Sequence, residues 1–216
     1  VRFKVIGEDA YFLAWTTTPW TLPSNVALCV NPKEEYVKVK NHKDDKIYYM
    51  AGALVEKVLG DNTEILETYT GKDLEYKEYE PLFTFAKVKK KAYYVTCADY
   101  VTLTDGTGVV HIAPAFGEDD AQVGRRYDLP FVQLVDEKGE MTAETDWPGV
   151  FCKKADMPIL QTLEDKGLLF DAPKFEHSYP HCWRCGTPLI YYARESWFIK
   201  MTAVRDDLIR NNNTIN

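Results

Sequence analysis

Residues 106–120 read GTGVVHIAPAFGEDD, and this stretch decides the fold. Its two glycines permit a tight turn, because glycine enters the left-handed backbone region at little cost. The β-branched residues that follow predict a short buried strand, which Pro114 and Gly117 then end. Three acidic residues favour the positive end of a helix, so we predict a helix from there to about Tyr127.

The same stretch places His111 on the strand and Asp120 in the first turn of the helix. A strand end that meets a helix start can bound a pocket for a polar ligand. A carboxylate there suits a small cation, for instance an amino group, because charge-assisted hydrogen bonds are strong. The structural alternative is a histidine packed in the core and an acidic turn that only caps its helix.

A second stretch, residues 15–25, reads WTTTPWTLPSN; we call residues 16–25 the threonine loop. Three consecutive threonines offer hydroxyl groups that both donate and accept hydrogen bonds. Pro19 and Pro23 end regular structure and stiffen the chain. The pattern indicates a rigid, hydroxyl-rich wall for a small polar ligand, with an ordinary strand-exit loop as the alternative.

The composition is typical of a globular protein, with 45% hydrophobic and 27% charged residues over 216 positions. No run approaches the roughly 18–20 apolar residues of a membrane span, and no signal peptide precedes the first strand. We therefore expect a cytoplasmic protein with no membrane partner. Because the chain opens on Val1, we also expect it to be part of something longer.

The charge is acidic overall, with a formal net charge of −7. That argues against a broad nucleic-acid groove, which needs a basic surface, but not against binding of one nucleotide end. Residues 87–91 carry four lysines. This run indicates either a solvated edge or a phosphate contact for one strand end.

Short runs rich in aromatic and β-branched residues predict a strand-rich mixed α/β domain. The predicted strands cover residues 2–6, 11–17, 26–30, 35–40, 46–50, 64–69, 93–98, 101–103, 109–112, 131–135, 188–193 and 196–201. Helices are predicted over 51–59, 118–127, 158–166 and 204–210, and Asp156 is the predicted cap of the third.

Five cysteines in an odd, irregular arrangement suit a reducing compartment better than a disulfide framework. They are Cys29, Cys97, Cys152, Cys182 and Cys185. Cys182 and Cys185 form half of a zinc-ribbon knuckle, whereas a tetrahedral zinc site needs four ligands. We expect the other half to lie outside this chain, with His177 and His181 as alternative ligands within it. A redox motif is disfavoured, since no helix start follows to lower a thiol pKa.

The threonine loop, residues 106–120 and the segment from Tyr179 to Lys200 together resemble the editing domain (connective peptide) inserted into isoleucyl-tRNA synthetases, a class I family. Valyl and leucyl relatives share the Gly-Thr-Gly turn and the final Asp, but usually have Thr-Thr-Arg-Pro where this chain has Thr-Thr-Thr-Pro. His111 also favours the isoleucyl family. The resemblance spans nearly the whole chain.

The resemblance implies an α/β, strand-rich mixed domain with a β-barrel-like core and peripheral helices. It divides the chain into an editing domain, residues 1–176, and a half zinc-knuckle with a return segment to the catalytic core, residues 177–216. It also implies hydrolysis of valine wrongly esterified to isoleucine tRNA. In this family one missing methylene is known to give only about 1–3 kcal/mol of discrimination, so a second pocket must reject the correct amino acid and admit the smaller one.

Site roles carry over by position. Asp120 would bind the α-ammonium of the valyl group, and His111 with Thr21 would form a pocket wall sized for valine. Four further candidates would hydrogen-bond the ester, the terminal adenosine and a water, and they are Thr16, Thr17, Thr18 and Asn25. Trp20, a further substrate-binding candidate, would pack near that loop, either on the adenosine or in the core. The catalytic candidates among all of these are Asp120, Thr18 and Asn25.

No side-chain nucleophile is evident in the sequence, so the expected attack is by a positioned water, assisted by a hydroxyl of the terminal ribose. Editing then needs no cofactor, and a zinc ion in the full-length enzyme would be structural. The expected partners are the 3' end of isoleucine tRNA carrying valine and the remainder of the synthetase. Three alternatives stay open: a tRNA-end positioning module without hydrolysis, a structural insertion docked by its knuckle, and a valyl-type domain that removes threonine. Thr18 and His111 argue against the last.

Overall fold

Two β-sheets organise the computed structural model, which describes residues 1–174 and 179–215. In chain order the strands are β1 (Arg2–Lys4), β2 (Tyr11–Leu13), β3 (Ala27–Val30), β4 (Glu35–Asn41), β5 (Lys46–Ala51), β6 (Thr63–Thr70), β7 (Tyr94–Cys97) and β8 (Val110–Ile112). The α-helices are α1 (Val55–Leu59), α2 (Glu118–Arg126), α3 (Cys152–Asp165) and α4 (Arg205–Asn212). Short 3-10 helices cover Pro19–Ser24, Gly52–Leu54, Gly71–Leu74 and Met201–Ala203.

The larger sheet has the strand order β1-β2-β5-β4-β6, and the smaller one has the order β7-β3-β8. In the smaller sheet β3 runs parallel to β7 and antiparallel to β8. All four residues of β3 are buried, as are all four of β7. A central strand covered on both faces explains why β3 reads as a continuous apolar run.

The predicted strand-rich mixed α/β fold is confirmed, and within the described residues its strands form two sheets rather than one closed barrel. Single bridges flank the smaller sheet. Trp15, two residues past β2, pairs with Val110 of β8 in parallel, and Glu78 pairs with Tyr94 of β7 in antiparallel fashion. In the described residues no continuous ladder joins the two sheets, which share a hydrophobic core.

Helix α3 packs against the core through Cys152, Ala155, Ile159 and Leu163, all fully buried. Their spacing of three or four residues places them on one helical face. The helix begins six residues before the predicted start, so the predicted role of Asp156 as its cap is wrong. The buried face of the helix begins at Cys152, and the packing of this residue against the core explains why the helix starts earlier than predicted.

Four predicted strands do not form, over residues 101–103, 131–135, 188–193 and 196–201. In the second of these Val132 and Leu134 are buried while Phe131 is 60% exposed. Apolar alternation is therefore present, but Val135 pairs only in a single bridge to Met141. Because no neighbouring strand pairs with residues 131–135, their backbone stays irregular while their apolar side chains pack onto the core.

The segment 179–215 differs from the preceding body in burial. Its large apolar side chains stand in solvent, with Trp197 and Phe198 at 102% and 85% exposure. It touches the body where the Ala193 amide donates to the Ala115 carbonyl oxygen at 3.0 Å. The predicted domain boundary at residues 176/177 lies outside the described residues and stays a prediction. In the part of the chain that the structure describes, no helix is long and apolar enough to cross a membrane.

Candidate functional site

The threonine loop folds into a 3-10 helix, Pro19–Ser24, directly after its three threonines. Pro19 occupies the first helical turn, where its fixed backbone angle and missing N–H cost nothing. The five residues that follow Pro19 in the helix are all buried. The predicted rigid loop is therefore an anchored helical turn.

A chain of polar contacts runs along this loop to His111. Thr16 Oγ1 lies 3.3 Å from Thr18 Oγ1, which lies 3.3 Å from Thr21 Oγ1. Thr21 Oγ1 in turn lies 3.0 Å from His111 Nε2. The structure thus brings together the two residues that the sequence assigns to one pocket wall, Thr21 and His111, although they are 90 positions apart.

The hydrogen positions in this chain follow from its geometry. With the Thr21 hydroxyl donating to the Thr18 carbonyl oxygen at 2.8 Å, we assign the proton of the neutral His111 ring to Nε2, which then donates to Thr21. His111 Nδ1 is then the unprotonated nitrogen, and it is buried without a hydrogen-bond partner in the described residues. Burial lowers the pKa of His111 to about 4, so the ring is neutral near pH 7.

Asp120 lies half-buried in the first turn of α2. Its Oδ2 accepts a hydrogen bond from the Ala113 amide at 2.9 Å, which ties the helix to the end of β8. Burial raises the pKa of Asp120 to about 6, against the lowering effect of the Ala113 amide and with a further rise from Asp119. A β-carbon on Gly117 would lie 3.2 Å from Asp120 Cγ, so glycine leaves room for the carboxyl group.

The Gly-Thr-Gly turn is dictated by close packing. Gly106 and Gly108 both have φ of +73°. A β-carbon on Gly106 would lie 2.9 Å from the ring of Trp15, and one on Gly108 would lie 2.5 Å from Ala51 Cβ. A side chain at Gly106 would displace the turn from Trp15, and one at Gly108 would displace it from the end of β5.

A cavity of about 440 Å³ opens between this turn and the start of the threonine loop. Its lining includes Trp15, Thr17, Tyr100, Asp105 and Val110. Its volume lies in the range of small-molecule sites. His111 and Asp120 do not line this cavity, but Val110 precedes His111 directly.

Two predicted site residues have structural partners. Trp20 is buried and packs edge-on against Phe116 at a ring-centre distance of 5.1 Å. Asn25 donates to the Ala27 carbonyl oxygen at 2.8 Å and accepts from the Tyr79 hydroxyl at 2.7 Å. Trp20 therefore lies in the core, one of the two places considered for it. Substrate contact by Trp20 or by Asn25 stays a prediction.

Two features near the loop were not predicted from the sequence, the position of Tyr100 and the contact made by Asp156. The Tyr100 hydroxyl is buried without a hydrogen-bond partner in the described residues, and Tyr100 lines the cavity of about 440 Å³. Asp156 reaches the threonine loop, where its Oδ1 accepts from the Trp20 amide at 2.8 Å. Tyr100 had no signal in the sequence. The polar position of Asp156 within an apolar helical pattern was visible, but not the contact it makes 136 positions away.

Cys182 and Cys185 lie in one tight turn, closed by the Gly186 amide donating to the Cys182 carbonyl oxygen at 2.9 Å. The Thr187 hydroxyl lies 2.9 Å from Cys185 Sγ and, with the Thr187 amide and Cys182, lowers the pKa of Cys185 to about 7. Two thiols in such a turn fit half of a zinc site. Residues 1–174 and 179–215 contain no group of three or more side chains able to hold a metal, and His177 lies outside them.

The positive charge of the lysine run, residues 87–91, is partly neutralised by ion pairs. Lys90 pairs with Asp128 at 2.5 Å, and Lys91 pairs with Glu78 at 2.7 Å. The run borders a cleft of about 260 Å³ together with the exposed ring of Phe131. A solvated edge and a phosphate contact both remain open.

Known sequences match this chain along its whole length. The chain is 54% identical over 218 residues to an isoleucine–tRNA ligase of Clostridium novyi (strain NT) and 48% identical over 217 residues to one of Bacillus thuringiensis (strain Al Hakam). Both alignments cover 100% of this chain and 21% of the relative, so the chain spans about a fifth of the length of the curated relatives it matches. No family model matches the chain.

Solved structures support the fold. The crystal structure of GlLeuRS-CP1 superposes with a TM-score of 0.60 at 12% identity, covering 80% of this chain and 87% of that one. The editing domain of the P. falciparum cytosolic leucyl-tRNA synthetase gives a TM-score of 0.58 at 14% identity, covering 74% and 78%. The chain is therefore homologous over its whole length to a segment of isoleucine–tRNA ligases, and it has the fold of the connective-peptide editing domain.

Proposed function

We propose that this chain hydrolyses the ester that joins valine to isoleucine tRNA, as the post-transfer editing domain of its synthetase. The observation that carries the proposal is that the half-buried carboxylate of Asp120 is tied to the end of β8, the strand on which His111 contacts Thr21. Asp120 is held by Ala113, two residues beyond His111. A site of this form offers a cation anchor on one side and an uncharged surface on the other.

Asp120 would bind the α-ammonium of the valyl group. Its raised pKa reflects a carboxylate that has lost solvent without gaining a cation, and the ammonium would supply that cation. Anchoring the nitrogen places the neighbouring ester carbonyl for attack.

His111 and Thr21 would measure the side chain. Thr21 is fixed by hydrogen bonds to the Thr18 carbonyl oxygen and to His111, and His111 lies on a buried strand. A wall that cannot move converts one extra methylene into a steric clash. Isoleucine would therefore be excluded while valine fits.

Water would be the nucleophile. Thr21 and His111 lie at the distance of a nucleophile–base pair, but the Thr21 proton is held by a carbonyl oxygen and His111 donates rather than accepts. A water held by the hydroxyls of Thr16 and Thr18 would bond to the ester carbonyl carbon. The ribose oxygen would then leave with a proton, giving free valine and uncharged tRNA. This step uses no cofactor.

The partners would be the 3' end of isoleucine tRNA and the remainder of the synthetase. The cavity beside Thr17 offers space for the terminal adenosine. The exposed rings of Trp197 and Phe198 would be covered by the rest of the enzyme, whose relatives are far longer than this chain. A zinc ion bound by Cys182 and Cys185 would be structural and would need ligands from outside the chain.

The test is a deacylation assay with the full-length synthetase and three substrates: valyl-, threonyl- and isoleucyl-tRNA. We expect hydrolysis of valyl-tRNA and protection of isoleucyl-tRNA. Binding of the tRNA end without any hydrolysis would instead support the positioning-module alternative. Preferential release of threonine would support the valyl-type alternative.

A further inference from the structure

We propose that Asp156 is a positioning residue for editing, because it caps the helix of the threonine loop from outside and so releases Thr18 from that role. This inference rests on the proposed function for its catalytic consequence. The cap itself is a direct contact between α3 and the loop.

The backbone donors at the start of the 3-10 helix Pro19–Ser24 can be fully accounted for. Pro19 has no N–H. The Thr21 amide donates to the Thr18 carbonyl oxygen at 3.0 Å, which is the first helical bond. The Trp20 amide is thus the one donor of this turn without a helical acceptor, and it donates to Asp156 Oδ1 at 2.8 Å.

A helix of this kind normally takes its cap from the residue before it. Here that residue is Thr18, whose side chain makes no capping hydrogen bond. The Thr18 hydroxyl lies instead 3.3 Å from the hydroxyls of Thr16 and of Thr21. Both contacts are long for hydrogen bonds between hydroxyls, so a substrate or water can replace them at little cost.

Helix α3 is a firm base for the cap. Ala155 and Ile159, on either side of Asp156 in the chain, are fully buried in the core. Lys153, one turn before Asp156, extends over the same loop, with its Nζ 5.8 Å from the Trp20 ring centre. Core packing of α3 therefore sets the position of the 3-10 helix, and through it the positions of Thr18 and Thr21.

The kinetic experiment compares Asp156→Ala with Asp156→Asn in the full-length synthetase. Asparagine keeps an oxygen acceptor for the Trp20 amide, and alanine removes it. We expect Asp156→Ala to lower kcat for valyl-tRNA deacylation about 10- to 100-fold with KM changed less than about threefold, since the substrate still binds but is misaligned. Asp156→Asn should stay within about threefold of wild type. Asp165→Ala is the matched control, because it removes an exposed carboxylate at the far end of α3.

A second readout is independent of activity. Hydrogen exchange by mass spectrometry on peptides covering the threonine loop should be faster in Asp156→Ala than in wild type and unchanged in Asp156→Asn. Unchanged exchange in Asp156→Ala would overturn the cap, and unchanged kcat despite faster exchange would overturn the catalytic role. Equal losses of kcat in the alanine and asparagine variants would also overturn it. If wild type itself does not hydrolyse valyl-tRNA, the proposed function fails, and exchange still decides the cap.

Discussion

The two walls of the candidate site are built on opposite principles. The threonine loop with His111 is uncharged, and its polar groups are bonded to one another. The start of α2 instead carries Asp120, a carboxylate that is partly removed from water and has only a backbone amide as described partner. The hydroxyl groups of the uncharged wall contact one another, and His111 Nδ1 is left without a partner in the described residues, whereas the carboxylate of the charged wall has no cation beside it in those residues. Size selection and charge anchoring therefore lie on separate elements and can be changed separately.

Removing the charged wall should have the largest effect. Asp120→Ala deletes the anchor for the ammonium group, so we expect deacylation of valyl-tRNA to fall at least about 100-fold. Single-turnover hydrolysis of valyl-tRNA measures this. The matched control is Asp119→Ala, which removes an exposed acid from the same helical turn. Comparable activity in the two variants would remove Asp120 from the mechanism.

Opening the uncharged wall should change selectivity instead of abolishing activity. His111→Ala removes the bulk that excludes isoleucine, so we expect hydrolysis of isoleucyl-tRNA to rise about tenfold or more. Hydrolysis of valyl-tRNA should persist, because Asp120 is untouched. His42→Ala is the control, since it removes an exposed histidine that lies directly after β4 and outside the candidate site. Continued protection of isoleucyl-tRNA in His111→Ala would show that the filter lies elsewhere.

The walls should also differ in their pH dependence. Burial raises the pKa of Asp120 to about 6, and it lowers the pKa of His111 to about 4. Since kcat/KM reports the free enzyme, we expect it to fall about tenfold per pH unit below about pH 6, as Asp120 loses its charge. Burial also raises the pKa of Asp156 to about 6, so the profile is measured in Asp156→Asn as well, where Asp156 does not titrate. A profile of valyl-tRNA deacylation from about pH 4.5 to 8 tests this. A rate that stays constant between about pH 7 and 5 would contradict the role of the Asp120 charge.

The sequence predicted the charged wall better than the uncharged one. Strand β8, α2 and the turn before them follow from local signals, because Gly106 and Gly108 must adopt positive φ and acidic residues favour a helix start. The placement of Thr21 against His111 came from the resemblance, and the contact between Asp156 and Trp20 was missed. Both contacts join residues about 90 to 136 positions apart, and no local pattern encodes them.

The burial of Asp120 also predicts a small effect on stability, with a definite sign. Its folded-state pKa of about 6 lies above the ordinary 3.8, so the fold disfavours the charged form. The cost is complete above about pH 6 and disappears as the pH falls from there toward 3.8. Asp120→Asn removes the charge and keeps an acceptor for the Ala113 amide, so this variant should be more stable than wild type at about pH 8.

The size of that gain follows from the same shift. A rise from 3.8 to about 6 corresponds to at most about 3 kcal/mol, and partial solvent screening of a half-buried group reduces the expectation to about 1 kcal/mol. Urea denaturation at about pH 8 and pH 5 measures it, with the exposed Asp119→Asn as the control that should gain less, because it removes only the minor repulsion of Asp120. A gain that is equal at both pH values would mean that amide packing, not charge, stabilises the variant. A gain about twice as large at pH 8 as at pH 5 would mean that the anchor for the ammonium is held at a standing cost, which the uncharged wall does not bear.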